Sequence, residues 1–93
     1  MVANFAASQG DLNEIKSLEA KGVDLNEADY DGRTPIHIAA SEGHFNIIEY
    51  FIARNIILSP KDRWGGTPLD DAKRHNHKKI VRLLESKLKG VKS

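Results

Sequence analysis

Sliding the chain against itself by 33 residues lays like upon like. Asp29 falls on Asp62, Gly32 on Gly65, Thr34 on Thr67, Pro35 on Pro68, Ala39 on Ala72, His44 on His77, Ile47 on Ile80 and Ile48 on Val81. In the other direction Ala39 and Ala40 fall on Ala6 and Ala7, Gly43 on Gly10, Ile48 on Ile15, Phe51 on Leu18, Ile56 on Val23 and Leu58 on Leu25. A fixed period of this length means one supersecondary unit used several times, each unable to bury its faces alone. A chain of 93 residues is expected to form one domain, 1–93. The units are a partial one near 1–28, a full one at 29–61 and a terminal one at 62–90.

Each copy carries its own start and stop signals. Thr34 is placed to cap a helix whose first residue is Pro35, where the missing N–H costs nothing. Thr67 and Pro68 repeat this, with Asp70 in a capping-box position and Asp70 and Asp71 suited to the positive end of the helix dipole. Gly43 breaks the first helix, and Ile47, Ile48, Phe51 and Ile52 make the apolar stripe of a second. The expected helices are 2–9, 12–20, 35–42, 45–54, 68–75 and 78–88, with Ile48 in the core between Ile15 and Val81. Asp31-Gly32 and Gly65-Gly66 are expected to give the positive-φ positions of short β-hairpin fingers.

The period together with "TPIHIA" resembles the ankyrin repeat, and "RTPIHIAASEGHFNIIEYFI" fits that pattern across the repeat core. The resemblance implies an all-α solenoid of helix-turn-helix units with β-hairpin fingers. It also implies that His37 hydrogen-bonds back into the Thr-Pro turns. "DYDGRTPIHIAASEGH" and "PKDRWGGTPLDDA" are further similar to the ankyrin region at the C-terminus of metazoan-type glutaminases, although Lys73-Arg74-His75-Asn76 is more basic than that family's pattern. Asparaginase-like enzymes with appended ankyrin repeats carry Asp-Gly-Arg-Thr-Pro stretches too. The glutaminase resemblance implies a regulatory or assembly module covalently linked to a catalytic domain, placed in the cytoplasm or the mitochondrion. A stand-alone intracellular adaptor is the alternative.

Both ends depart from the full unit. Met1 stands where Thr34 stands in the full unit, so the first helix lacks cap, proline and finger. The expectation is a segment cut from a longer protein, with an atypical first repeat as the rival. In the last copy Lys73 replaces Ala40, Lys78 replaces Phe45 and Asn76 replaces Gly43, which marks a polar C-terminal cap.

Catalysis finds little support. With no cysteine, disulfides and thiolate metal sites are excluded. Ser86-Lys87-Leu88-Lys89 matches a Ser-x-x-Lys nucleophile motif but has no partner motif. His75 and His77, two apart, are expected to point to different sides of a helix and not to share a metal. No apolar run approaches a membrane span. The chain is therefore read as non-catalytic, without cofactor or metal, and without a membrane role.

Charge is uneven. Residues 1–60 carry four Lys/Arg against nine Asp/Glu, a balance of −5, whereas 73–93 carry eight against one, a balance of +7. Lys73, Arg74, Lys78, Lys79, Arg82, Lys87, Lys89 and Lys92 thus offer a polyanion site, though without interleaved aromatics to stack bases, so nucleic acid is disfavoured. A protein or peptide is the favoured partner. The finger tips and exposed sides of the first helices are implied to bind it: Tyr30, Asp31, Arg33, Ser41, Glu42, Arg63, Trp64, Arg74 and His75, flanked by Ser8, Gln9 and Gly66. Trp64, the only tryptophan, sits at the finger position of Asp31. It is either a contact residue or packed under Tyr30 or Arg33. Arg33, Arg63 and Arg74 on one ridge point to an acidic or phosphorylated ligand.

Overall fold

The computed structural model describes residues 2–90. Six helices follow one another: α1 (Val2–Gln9), α2 (Leu12–Ala20), α3 (Pro35–Glu42), α4 (Phe45–Ala53), α5 (Pro68–Arg74) and α6 (Lys78–Gly90). Each odd helix packs on its even successor, and α1, α3 and α5 pack in sequence to form the stack. The ends match the sequence expectation to within two residues. Thr67 makes the expected box: its hydroxyl accepts from Asp70 N–H at 3.2 Å, and the Asp70 carboxylate accepts from Thr67 N–H at 3.0 Å. Asp11 caps α2 by accepting from Glu14 N–H at 3.0 Å, a cap the repeat comparison did not point to.

Burial along equivalent positions shows which way each side chain looks. Ile47 and Ile80 are buried, while Glu14, their counterpart in the first unit, is exposed. Ile15 and Ile48 are fully buried, while Val81 is only half-buried. The first position therefore faces the preceding unit and the second the following one. Ile48 is core as expected. Among the described residues of α6, Ile80 and Leu84 are the buried ones, and Val81 is half-buried, packed against the edge of the core. Likewise Ala7 and Ala40 are fully buried where Lys73 is exposed.

Histidines fasten neighbouring units. His37 Nδ1 accepts from Thr34 N–H at 3.1 Å, and its Nε2–H donates to Gly66 O at 3.0 Å in the next finger. Asn4, at the same place in the first unit, donates to Arg33 O at 3.0 Å. His44 Nε2 reaches Ser8 O at 3.1 Å and His77 Nε2 reaches Ser41 O at 2.9 Å, each donating to the last turn of the preceding unit's first helix. Gly10 and Gly43 lie beneath these rings: a Cβ on either would come within 2.8 Å of the imidazole, at a φ of +70° or +83°. That pair of constraints explains glycine at both places.

The fingers differ from the expected β-hairpins. Among the described residues there is no strand. Asp29 N–H donates to Arg33 O at 2.9 Å and Asp29 O accepts from Gly32 N–H at 2.9 Å; Asp62 bonds Gly66 and Gly65 in the same way, each at 2.9 Å. An aspartate carboxylate then fills each loop. Asp29 accepts from Asp31 and Arg33 N–H, and Asp62 from Trp64 and Gly66 N–H, at 2.8–3.0 Å. Side-chain oxygens thus do what a strand partner does in a hairpin. The left-handed residues are Gly32 and Gly65; Asp31 and Gly66 are not, contrary to expectation. Gly66 is small for another reason, since a Cβ there would lie 3.1 Å from the Asp62 carboxylate.

Candidate functional site

The two fingers lean on each other. Arg63 N–H donates to Asp31 O at 2.7 Å, and Gly32 is packed so closely on the next finger that a Cβ would meet Arg63 N and Asp62 Cα at 3.1 Å. This fixes the backbone beneath Arg63 and Trp64. Above it, Trp64 is 70% exposed and Tyr30 is 99% exposed. Tyr30 packs on nothing and does not cover the indole; Arg33 lines the same hollow as Trp64, its guanidinium engaged by Asp62 and Asp71. The Arg63 guanidinium lies 5.4 Å from the centroid of the Trp64 ring system, within cation–π range, and also reaches Asp31 Oδ1 at 3.3 Å.

Beside the indole lies a shallow hollow of about 500 Å³ lined by Arg33, Asp62, Trp64, Gly65, Gly66, Asp70 and Arg74. Its floor is an ion network. Arg33 donates to Asp62 Oδ2 at 3.1 Å and to Asp71 Oδ2 at 3.0 Å; Arg74 pairs with the other Asp71 oxygen. Asp71 is fully buried, so both arginines compensate a carboxylate that water does not reach. The hydrogen bond from Gly66 N–H, then that from Trp64 N–H, holds Asp62 below the ordinary aspartate value, against the opposing effect of burial.

The predicted contact residues therefore separate into groups. Arg63, Trp64 and Tyr30 stand out at the tips, with Asp31 half-buried beside them. Glu42, Arg74 and His75 are exposed at the ends of α3 and α5; Ser41 is half-buried and its carbonyl is taken by His77. Arg33 lies inward, its side chain 19% exposed, bracing the second unit to the third. In the first unit Gln9 is exposed and Ser8 half-buried, its hydroxyl donating to Phe5 O at 2.7 Å.

Sequence reasoning missed Asp71 as the partner of Arg33. The available signal was its place: Asp71 occupies the position of Ile38 and Phe5, where an inward charge needs a counter-ion. The histidine pair also needs correcting. His75 caps α5 and Asn76 takes a left-handed turn at φ 64°, so the rings of His75 and His77 face each other 6.2 Å apart rather than diverging on one helix.

On the far side Glu19 accepts from Tyr50 OH and from Arg54, at 3.0 Å for the Arg54 pair, tying the first unit to the second. The tyrosine bond lowers the Glu19 pKa, and the same bond raises that of Tyr50. Along α6, Lys78, Lys79, Arg82, Lys87 and Lys89 are exposed, whereas Lys73 pairs with Glu85 at 3.7 Å; Lys92 lies outside the described residues. Among the described residues no helix is long and apolar enough to cross a membrane.

Comparison with known proteins agrees with this architecture. Over 35 residues the chain is 54% identical to the potassium channel GORK of Arabidopsis thaliana, covering 38% of this chain and 4% of the channel. Over 34 residues it is 47% identical to an L-asparaginase of Dirofilaria immitis, covering 37% and 6%. It is 50% identical over 34 residues to integrin-linked protein kinase 1 of Arabidopsis thaliana, covering 37% and 7%. The chain thus corresponds to a few per cent of the length of these relatives, about one repeat of each. A family model of ankyrin repeats in three copies matches residues 3–92, so the chain belongs to the ankyrin-repeat family.

Proposed function

We propose that the chain is a non-catalytic protein-interaction module that takes a peptide or protein surface on the Arg63–Trp64 finger and the hollow beside it. The observation that carries this reading is a large aromatic left 70% exposed on a backbone held by the Asp62 carboxylate and by the neighbouring finger. Holding an exposed tryptophan in place lowers the ordering cost of using it as an anchor, and tryptophan and arginine are the usual interface hot spots. Arg33 and Arg74 are already neutralised by Asp62 and Asp71. Of the three arginines read as an anion-binding ridge, Arg63 alone has a half-buried carboxylate, Asp31, as its partner rather than a buried one. An aromatic-anchored contact therefore fits better than a phosphate-led one.

The test is selection of binders from a displayed random-peptide library. Selected peptides should bind Trp64→Ala at least about tenfold more weakly, with the fold intact, because an anchor of this kind contributes about 2 kcal/mol or more. Peptides indifferent to Trp64→Ala would remove the finger from the site.

A second reading, polyanion binding along α6, is favoured by its run of exposed lysines and Arg82. It predicts steep loss of binding with salt, which an aromatic-anchored contact does not. A parent polypeptide of glutaminase type, and with it a mitochondrial or cytoplasmic setting, rests on the motifs at 29–44 and 60–72 alone.

A further inference from the structure

The two ends of the stack carry opposite charge at positions that the repeat would bring together. At the junction of the second and third units, Gly43 and Phe45 share a hollow of about 220 Å³ with His77, Lys78, Lys79 and Ile80. Moving that junction one unit along the stack places Asn76 and Lys78 where Gly43 and Phe45 stand. If the next unit is the first unit of a second copy, the opposing positions become Asp11, Leu12, Asn13 and Glu14. Phe45 has become a lysine and Ile80 has become a glutamate. The changes that make each end polar are thus complementary to one another.

We propose that this chain associates head to tail with copies of itself, the third unit of one seated on the first unit of the next. The N-terminal face supplies apolar area: Val2 and Phe5 are 60% and 67% exposed, while of their counterparts Pro35, Pro68 and Asp71 are buried and Ile38 is half-buried. With Asp11 and Glu14 they line a hollow of about 580 Å³. The C-terminal face presents Val81 amid Lys73, Asn76, Lys78 and Arg82. Contact between unlike faces leaves a free face at each end, so growth is open rather than closed. Lys73, where the inner units have a buried alanine, must fold aside over the junction, which keeps the contact weak.

Sedimentation equilibrium on the full chain, over protein from about 10 µM to about 1 mM, covers such a weak contact. The mass average should rise with concentration and fall back as salt screens the pairing. Glu14→Lys and Lys78→Glu both alter exposed residues in helix first turns and should shift the melting temperature by no more than about 5 °C, in opposite directions. Each alone should weaken association by about tenfold, as attraction becomes repulsion. The double variant should recover it, because each junction then pairs the exchanged charges. A monomer throughout would overturn the proposal. So would association that the single variants leave intact, or that the double variant fails to restore, as a symmetric contact between two N-terminal faces predicts.

Discussion

The finger at 29–33 and the finger at 62–66 have the same frame and different tips. In both, an aspartate carboxylate accepts two backbone N–H groups and a glycine turns left-handed. One then presents Tyr30 and Asp31, the other Arg63 and Trp64. The frame is what the stack needs, since each finger receives a hydrogen bond from the preceding unit, from Asn4 to Arg33 O and from His37 to Gly66 O. The tip side chains take no part in those two bonds, although Arg63 pairs with Asp31 across the fingers at 3.3 Å. If the tips make the contact proposed above, partner choice can be written there without redesigning the repeat.

The frame aspartates should separate most. Asp62 also holds Arg33 and its side chain is 4% exposed, whereas Asp29 serves its own loop. Asp62→Ala should cost about 2–4 kcal/mol, by orphaning two part-buried N–H donors and removing one counter-ion of Arg33. Asp29→Ala should cost about 1–2 kcal/mol, for two bonds in a half-buried loop. Urea unfolding of the two variants measures the gap, and equal losses would show that the Arg33 brace adds nothing.

The frame glycines should differ next. Both have positive φ, but a Cβ on Gly32 also meets the next finger at 3.1 Å while one on Gly65 meets nothing within 4 Å. Gly65→Ala should cost about 1 kcal/mol from backbone strain alone, and Gly32→Ala about 1–2 kcal/mol more. Thermal melts that rank them the other way would contradict the close approach of the fingers.

Acid gives a smaller effect of known sign. Asp62 titrates below its ordinary value of 3.8, so its contribution is complete above that range and is lost as pH falls through it. Stability should drop more steeply below about pH 4 in the wild type than in Asp62→Asn, where nothing titrates. Glu19, also lowered, leaves a residual slope in both proteins.

Much of this was legible before any coordinates, because it is local. Thr-Pro starts, glycine stops and the apolar stripe of α4 are written within a few residues, and the period multiplies the signal. The aspartates of the frame were visible as a repeated letter, but their role was not, since Asp-x-Gly reads equally as hairpin chemistry. The Arg33–Asp71 pair spans 38 residues and joins two units, so no local pattern announces it. Sequence alone places Arg33 among the contact residues for the same reason: an arginine beside a finger looks solvent-facing, and only the fold brings the buried Asp71 to it. Val81 is half-buried although Ile48, at the same place in the repeat, is fully buried, and the period alone does not distinguish the two.

Trp64→Ala tests the central claim most directly, with stability and binding measured on the same sample against a peptide selected on the wild type. The tip should matter little to the fold, so unfolding free energy should change by less than about 1 kcal/mol, the scale of an exposed substitution. Peptide affinity should fall at least about tenfold, the loss of one anchoring side chain. A variant that unfolds markedly more easily, and loses binding only in step with its fold, would show that the indole is part of the frame. Unchanged affinity in a stable variant would show that partners engage another face.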